Sequence, residues 1–421
     1  MTALDRSAPG VRIVRVPDPD AGQTAPVDLG DRLLGFVFED HERQTDRVIL
    51  TLDNHDLRFF EREDVAAGVL LDVSWGYPGR MSAPQRVVLT SVKGFEQLIV
   101  EGQSTDVLLN RETRTRSWDD VPLGELVREV ARGAGFSSRL VEVEATDIVL
   151  PSINQVAETD ARFLRRLAER EGFEFFVDPG GLHFHRRRTD AAPTHRFVWR
   201  AEAGAGSVLQ VQVESEFTPR VGVVETVTRD PLTRSTVRGR ASAESAERAT
   251  LGDVIEVVDP ETGETVRQQR LASRTERSVD TVSADAAQRA AEDGVRRAER
   301  ETVRLKLTVV GDPSLAAKRV VEVDGISTWL SGKYYVATCR HNLSGAGYVC
   351  ELSLSRDAFS RRTAVGRESE QRPQGGTRND ARVRPPDAVR QIEVVDPETG
   401  RTRIEYRGGR GSADPEAQQR G

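Results

Sequence analysis

Two histidines two positions apart are the residues of this chain whose spacing most directly permits chemistry. His183 and His185 lie in the segment LHFHRR, which alternates apolar and polar residues as a β-strand does. Residues two apart on a strand point to one face, so both imidazoles can reach one metal ion. Zinc takes roughly four ligands, and no cysteine or third histidine stands nearby in the sequence. We therefore expect these histidines to lie with Arg186, Arg187 and Arg188 on a solvated or partner-facing strand.

Two other motifs begin like enzyme signatures and stop short of them. His41 and Glu42 open the His-Glu-x-x-His pattern of zinc proteases, but Thr45 occupies the position of the second histidine. Gly332 and Lys333 lack both the following serine or threonine and the upstream glycine of a phosphate-binding loop. The Gly-x-Ser-x-Gly turn of serine hydrolases is absent from the sequence. None of these patterns predicts an enzyme.

A pair of carboxylates, Glu158 and Asp160, stands two residues apart. Both lie at the start of a predicted helix, where the positive end of the helix dipole stabilises negative charge. We interpret them as helix-terminal rather than catalytic residues. The sequence thus predicts no catalytic residue, no cofactor-binding residue and no metal ligand.

The two cysteines are predicted to lie in one β-hairpin. A turn around Ser344 and Gly345 sets Cys339 opposite Cys350, Ala337 opposite Leu352 and Tyr335 opposite Leu354, so that apolar residues face one another. Cross-strand Cβ atoms are ~4.5 to 5.5 Å apart, but we expect a cytosolic assembly to keep both thiols reduced. Two cysteines are also too few for a disulfide framework or a four-thiolate metal site.

The histidine strand is positioned by a helix followed directly by a hairpin, from Gln155 to Arg187. Thr159 is the predicted N-cap and Gly172 ends the helix. The apolar faces are formed in the helix by Phe163, Leu164, Leu167 and Ala168, and in the hairpin by Phe173, Phe175, Val177, Leu182 and Phe184, around a Pro179-Gly180-Gly181 turn. One amphipathic helix is therefore expected to pack on a two-stranded ribbon.

A block of strands and a further helix precede this unit. Strands are expected at Val11 to Val16, Leu33 to Phe38, Val48 to Leu52, Val69 to Trp75, Val87 to Val92 and Leu98 to Val100. Their near-regular spacing suggests a barrel or a sandwich. Asp120 and Pro122 open a helix whose apolar face contains Leu123, Leu126, Val127, Val130 and Ala131, ending at Gly133 or Gly135. Both helices, the region from Leu140 to Leu150 and the hairpin form one α+β insertion of about 80 residues.

Strand patterns return from about Phe197 to Val258, and an Ala-rich surface helix is expected at residues 283–301. This helix is predicted to pack through Ala286, Ala290, Val295 and Ala298. Four strands follow it, and from Ser360 onward the lack of large apolar residues predicts a mostly disordered tail. Within the tail, Ile392 to Arg407 closely repeats Ile255 to Arg270, so we expect a hairpin that orders only by pairing with another surface.

Composition narrows the possible functions. A chain of 421 residues predicts two to four domains. A net charge of −7 and an aromatic content of 5% disfavour nucleic-acid binding. No run approaches the ~20 apolar residues of a membrane span, and the first residues lack the apolar core of a signal peptide. We expect synthesis in the cytoplasm, no nucleic-acid partner and no membrane insertion.

Three segments, in their order along the chain, resemble the late control D family, the baseplate hub of contractile phage tails. The first is the apolar strand with a Gly-Tyr ending in GVLLDVSWGYPG, and the second is the helix with its Phe-Leu, basic-pair, Leu-Ala and Gly-Phe pattern. The third comprises a Gly-Asp-Pro-Ser-Leu turn, a Ser-Gly-Lys-Tyr-Tyr-Val strand entry, a histidine in that strand and a closing Gly-Tyr strand. Hubs of extracellular contractile injection systems and the hub part of type VI spike proteins are related to this family.

The resemblance implies a mainly β fold with two tube-type β-barrel domains, an α+β helix–hairpin insertion domain and a disordered C-terminal tail. The expected domains are residues 1–115 (first barrel), 116–195 (insertion), 196–360 (second barrel, with the surface helix) and 361–421 (tail, with the hairpin at 392–407). It also implies a homotrimer. Its six barrels form a ring that matches the hexameric tail tube protein above, and its threefold symmetry matches a trimeric spike protein below. Other baseplate components are further expected partners. The spike is expected to be a separate polypeptide, and the final location a virion or an extracellular tail-like particle.

Two other functions stay open at this point. A tail-associated cell-wall hydrolase would need a catalytic domain of about a hundred further structured residues. A carbohydrate-binding β protein would need exposed aromatic side chains, which are scarce in this composition. Both are alternatives to a structural hub.

Overall fold

The computed structural model describes residues 9–16, 25–104, 109–199, 207–214, 221–229, 235–242, 256–258, 265–267, 272–277, 284–299, 303–327, 330–357, 390–395 and 402–407. The chain divides into two compact units, Met1–Val365 and Gly366–Gly421. No helix within these described ranges is both long and apolar enough to span a membrane.

Strands dominate the secondary structure. Before the insertion lie β1 (Gly10–Arg15), β2 (Ala25–Pro26), β3 (Leu33–His41), β4 (Arg47–Asp53), β5 (Leu70–Tyr77), β6 (Arg80–Met81), β7 (Gln85–Gly94) and β8 (Gln97–Ser104). The insertion contains β9 (Thr113–Pro122), α1 (Leu123–Gly133), β10 (Val141–Val143), β11 (Val149–Thr159), α2 (Asp160–Glu171), β12 (Phe173–Asp178) and β13 (Gly181–Arg186). After it come β14 (His195–Val198), β15 (Val208–Glu214), β16 (Val221–Arg229), β17 (Thr236–Ser242), β18 (Glu256–Val258), β19 (Thr265–Arg267), β20 (Ala272–Arg277), α3 (Ala284–Glu299), β21 (Val303–Val310), β22 (Val320–Asp324), β23 (Gly332–Ser344) and β24 (Gly347–Arg356). The second unit contains β25 (Arg390–Val395) and β26 (Thr402–Arg407).

Strands from before and after the insertion belong to one 14-stranded sheet. Its order is β15-β21-β24-β23-β3-β4-β8-β7-β5-β1-β2, with β6, β14 and β22 paired beside this path. The two blocks meet where β3 pairs antiparallel with β23, from Thr338 opposite His41 to Ser344 opposite Gly35. One hydrophobic core spans both blocks. The mainly β fold is thus confirmed, and the described strands follow an open path across both blocks instead of closing into barrels.

The predicted strands of the first block are all present, because their alternating residues fill this core. Val48, Leu50 and Leu52 on β4, for example, are fully buried, whereas the residues between them are partly exposed. The Gly-Tyr ending of β5 also has a steric reason. Gly76 has a φ of +143°, and a Cβ there would lie 2.3 Å from the carbonyl oxygen of Arg80. A larger residue would block the turn into β6.

The insertion has its own core, built from both helices and the β12–β13 hairpin. Every apolar residue predicted for the faces of α1, α2 and the hairpin is buried. Thr159 accepts a hydrogen bond from the Arg162 N–H at 3.3 Å, and Gly172 ends α2 with a φ of +73°. β10 pairs parallel with β13. β9, which pairs with β11, was not predicted.

Helix α3 packs on a three-stranded sheet of order β17-β16-β20. Its buried apolar side chains are Ala287, Ala291 and Val295. The predicted contact residues Ala286, Ala290 and Ala298 are only partly buried. The predicted packing face of the helix is therefore wrong at these alanines and correct at Val295. Gly239 explains the shift, because a Cβ there would lie 2.1 Å from the carbonyl oxygen of Ala287. The helix therefore approaches the sheet through its smallest residues.

The sequence repeat folds as a repeated hairpin. β18 and β19 pair with Val258 opposite Thr265. β25 and β26 pair with Val395 opposite Thr402, which is the equivalent register. β25 and β26 fall within or next to the predicted hairpin at 392–407, and the rest of the predicted tail lies outside the described residues.

Candidate functional site

A cleft of about 410 Å³ lies between the insertion and the 14-stranded sheet. Phe176, Asp178 and His183 line it from the insertion, and Asp40 and Lys318 line it from the other side. The cleft brings together the two histidines singled out in the sequence with charged residues from distant parts of the chain. It is therefore the candidate site of the first unit.

The histidines meet two carboxylates in this cleft. His183 Nδ1 lies 2.8 Å from Glu142 Oε2, and its Nε2 lies 2.8 Å from Asp178 Oδ1. Burial opposes the charged imidazole, but Asp178 and Glu142 outweigh it and raise the pKa of His183. His185 is buried, and its Nδ1 lies 2.8 Å from the carbonyl oxygen of Arg186. The ligand atoms of Glu142, His183 and His185 all lie within 4.8 Å of one another, so these residues together could hold a metal ion.

A buried charged joint fastens the insertion to the sheet beside the cleft. Arg187 has a side chain only 8% exposed and lies 3.0 Å from Glu42 and 3.6 Å from Glu174. Its guanidinium stacks 3.7 Å from the ring centroid of Tyr335, whose hydroxyl donates to Glu174 at 2.7 Å. Burial and Glu174 raise the pKa of Tyr335 well above its usual value. The expected solvated or partner-facing strand is thus wrong for Arg187 and His185, because both side chains are buried within the chain.

A second buried cation closes the other wall of the cleft. Lys318 contacts Asp40 and lies 3.7 Å from Asp46 and 4.9 Å from the Phe176 ring centroid. Burial opposes its charge, but Asp40 and Asp46 outweigh it and raise the pKa of Lys318. Among the described residues, each carboxylate that lines the cleft faces a cation. The site is therefore built as a set of matched charges, not as a nucleophile with its base.

The two cysteines flank a buried histidine on the sheet. Cys339 Sγ lies 3.3 Å from His341 Nε2, and Cys350 Sγ lies 3.2 Å from His341 Nδ1. Burial opposes the Cys350 thiolate, but Cys339 and His341 outweigh it and lower its pKa, whereas burial raises the pKa of Cys339. The predicted register is wrong, because Cys350 lies opposite His341 and Cys339 lies opposite Leu352.

A β-bulge causes the second register error. The pairing of β23 with β24 shifts between Val336 and Thr338, so Tyr335 lies opposite Ser355 and not Leu354. Val336 faces the main core, whereas Tyr335 packs with Val320 on the opposite face. The bulge therefore aims Tyr335 at the insertion, where Glu174 accepts its hydrogen bond.

The other positions considered for chemistry have structural roles. Asp160 is buried and pairs with Arg116 and, at 3.3 Å, with Arg114. Glu158 pairs with Arg166 at 2.5 Å. The two carboxylates are thus held by different arginines and do not form an acid pair.

The two incomplete motifs lie on strands. His41 ends β3 and Glu42 follows it directly, so they do not start a zinc-protease helix. Gly332 and Lys333 begin β23 instead of a loop before a helix. Neither segment has the geometry of the enzyme motif it resembles.

Both ends of the 14-stranded sheet are open within the described part of the chain. β15 pairs with β21 on one side only, and its Leu209 and Val213 are 54% and 44% exposed. At the other end, β2 covers β1 through two residue pairs only, Val14 with Pro26 and Arg15 with Ala25. Open edges present unpaired backbone groups to which another chain can add a strand.

Comparisons with known proteins agree with this architecture. The sequence model of the family described as "Phage tail baseplate hub (GPD)" matches residues 92–347, more than half of the 421 residues. The "Probable baseplate hub protein" of Escherichia phage 186 is 30% identical over 166 residues, which are 37% of this chain and 41% of that protein. The protein of the same description from Escherichia phage P2 is 41% identical over 71 residues, 17% of this chain and 18% of that protein. The alignments thus span less than half of these two relatives.

Solved structures share the fold at low sequence identity. The tail protein from Neisseria meningitidis MC58 has a TM-score of 0.60 and 14% identity, over 83% of this chain and 97% of that one. The 43 kDa tail protein of prophage MuSo2 from Shewanella oneidensis has a TM-score of 0.55 and 14% identity, over 82% and 99%. At this sequence identity the solved structures show a shared fold only, whereas the family-model match shows family membership. By that match, the chain belongs to the phage tail baseplate hub family.

Proposed function

We propose that this chain forms the homotrimeric hub of a contractile tail or tail-like particle and adapts a sixfold tail tube to a threefold spike. In this proposal residues 1–115 and 196–360 are two tube-type halves, and residues 116–195 are an insertion held on their outside. Three chains then supply six halves. The tail tube protein, a separate trimeric spike protein and other baseplate components are the partners.

The observation that carries the proposal is the single sheet with two open edges. β3 and β23 join the two halves inside one chain, so the sheet runs from β15 at one end to β1 at the other, where the short β2 covers only two residues of β1. Pairing β15 of one chain with β1 of the next is a heterologous contact, and such a contact closes a ring when the rotation fits. Closure would also cover the exposed Leu209 and Val213.

The charges in the cleft favour a structural role over catalysis. Arg187 is buried and bonded to Glu42 of the sheet block, and Lys318 is buried, bonded to Asp40 and 4.9 Å from the Phe176 ring of the insertion, so both cations contribute to holding the insertion on the sheet. A hydrolase would need a carboxylate or nucleophile free to meet its substrate. We propose that the isolated chain has no hydrolytic activity.

The ring is tested by charging the β15 edge. The double variant Leu209→Lys/Val213→Lys should shift the purified chain from trimer to monomer in native mass spectrometry, because six lysines would be buried at three interfaces. The matched control is Val149→Lys/Val156→Lys, which changes two valines of β11 that are 50% and 66% exposed. This control should leave the trimer intact.

Two outcomes would contradict the proposal. One is a wild-type chain that is a dimer or hexamer in the assembled particle. The other is a β15 variant that remains trimeric, which would remove this edge from the interface. Superposing residues 1–115 on residues 196–360 tests the symmetry-adaptor proposal separately. If the two parts have unrelated topologies, three chains cannot supply six similar domains.

A further inference from the structure

Glu142, His183 and His185 converge from two strands of the insertion. β10 and β13 are parallel neighbours, and Glu142 lies opposite His183 in their register. His183 and His185 are two apart on β13, so both imidazoles project from one face. The cleft next to them is large enough for solvent.

We propose that these three residues bind one divalent transition-metal ion, of which zinc fits best, with water from the cleft as the fourth ligand. Two imidazoles and one carboxylate with an open fourth position are the ligand set of catalytic zinc sites. The remaining carboxylates of the cleft are bonded to His183 or Lys318, so none is left to act as a base on the zinc-bound water, and the site is proposed without hydrolytic activity. The earlier expectation of no metal site counted only cysteine and histidine as further ligands. Glu142 is the ligand that it left out.

The hydrogen bonds around the histidines prepare them as ligands. The Arg186 carbonyl oxygen accepts from His185 Nδ1–H at 2.8 Å, so the ring nitrogen that offers a lone pair to a metal ion is Nε2. The Asp178 carboxylate, 2.8 Å from His183 Nε2, likewise fixes that proton and leaves the lone pair on Nδ1. Carboxylates and carbonyls that hold the second nitrogen in this way are characteristic of metal-binding histidines.

The contact between His183 Nδ1 and Glu142 Oε2 requires a cation between the two atoms. Both atoms carry lone pairs once Nε2 holds the ring proton, yet they lie 2.8 Å apart. A proton on Nδ1 satisfies this contact, and so does a metal ion. Zinc binding would replace that proton and release it to the solvent, leaving His183 neutral.

The contact between Glu142 and His183 needs only a small adjustment to take a metal ion, and the ligand atom of His185 lies within 4.8 Å of both. Two ligands on a tetrahedral zinc, each about 2.0 to 2.1 Å from the metal, are about 3.4 Å apart. The pair must therefore separate by about half an ångström. The Glu142 side chain is 49% exposed, and its ion pair with Arg188 has to accommodate this movement.

The surrounding charges predict opposite effects of two neighbouring substitutions. Arg188 bonds to Glu142 and opposes a nearby dication, so Arg188→Gln should tighten zinc binding. Asp178 orients His183, so Asp178→Asn should weaken binding by about 10–100-fold. A change in fold alone would not move the affinity in both directions.

The test is calorimetric titration of zinc chloride into the full-length, untagged chain after removal of metals by chelator and dialysis. We expect one zinc ion per chain. Glu142→Gln and His185→Gln should each abolish this binding or weaken it at least tenfold. Glu142→Gln is the safer variant for folding, because its side chain is exposed. His55→Ala, which changes a histidine with a 63% exposed side chain outside the cleft, is the matched control and should bind as the wild type does.

Three results would overturn the site. The wild-type chain could bind no zinc at millimolar concentration. Binding could survive Glu142→Gln and His185→Gln together. Binding could instead be lost in Cys339→Ser, which would move the ion to the buried cysteines.

Discussion

Replacing Lys318 by methionine tests whether buried charge holds the insertion, the loops and the sheet together. Lys318 Nζ contacts Asp40, and it lies 3.1 Å from the His41 carbonyl oxygen and 3.7 Å from Asp46. The three charged side chains are between 9% and 12% exposed. Methionine fills a similar volume without the charge. The substitution would therefore leave two carboxylates buried without their cation.

The expected loss follows from that arrangement. Breaking a buried ion pair by removing one partner costs about 3–5 kcal/mol. Asp40 keeps a hydrogen bond from the Ala317 N–H at 2.7 Å, and Asp46 keeps one from the His41 N–H at 3.0 Å. We therefore expect the free energy of unfolding to fall by about 3 kcal/mol, the lower end of the range. The backbone at position 318 has a φ of +62°, and because both residues bear that strain equally, the difference reports the side chain.

Urea unfolding followed by the fluorescence of the buried Trp75 measures this loss. The matched control is Lys93→Met, since Lys93 pairs with Glu101 at 3.1 Å while 62% exposed, and exposed pairs contribute little. Adding Asp40→Asn to Lys318→Met should restore part of the stability, because it removes one stranded charge. A loss below about 1 kcal/mol for Lys318→Met, or an equal loss for Lys93→Met, would refute the reasoning.

Three further predictions concern titration, thiols and the tail. Asp178 and Glu142 raise the pKa of His183 in the folded state. Protonated His183 therefore stabilises the folded protein fully at pH values below its pKa in the unfolded chain, and this contribution is lost as the pH rises through its pKa in the folded chain. In chelator, the stability gap between wild type and His183→Gln should thus be larger at pH 5.5 than at pH 9, and a constant gap in urea titrations would contradict this. Thiol titration should count two thiols in the unfolded chain and almost none in the native chain, because both cysteines are buried; prompt native reactivity would disprove their enclosure. Deleting residues 361–421 should leave the urea midpoint nearly unchanged, because the deletion removes no strand of the 14-stranded sheet, and failure to fold would show that the tail is part of the core.

Local signals in the sequence predicted α2 well. Thr159, the apolar face and Gly172 act within a few residues of one another, so no distant contact was needed to define that helix. β9 was missed for the opposite reason. Its sequence TRTRSWDDVP is mostly polar, and it becomes a strand through pairing with β11.

The hairpin register shows what burial can and cannot specify. Setting Cys339 opposite Leu352 instead of Cys350 moves the partner by two residues, which keeps the same side chains on the same face. Burial therefore predicted the face around Cys339 correctly but could not choose between the two registers. The bulge after Val336 then reversed the face of Tyr335. The adjacent aromatic residues at 334 and 335 made both faces equally plausible in the sequence.

The candidate site was only half visible in the sequence. The shared face of His183 and His185 follows from strand periodicity. Glu142 precedes them by about forty residues, and only the parallel pairing of β10 with β13 brings it beside His183. Arg187 was expected on a solvated or partner-facing strand, and its burial could not be predicted because its partner Glu42 lies 145 positions earlier in the chain.

The pairing of β3 with β23 also means that β3 must wait for its partner strand during synthesis. It joins residues 35–41 to residues 338–344, and translation at roughly 5–20 residues per second delivers β23 about 15–60 s after β3. During that interval β3 has β4 on one side and a bare edge on the other. Contacts of such long sequence separation also form slowly. A chain stalled at residue 330 should therefore leave β3 open to proteolysis, and only a chain extended past residue 344 can complete the pairing of β3 with β23.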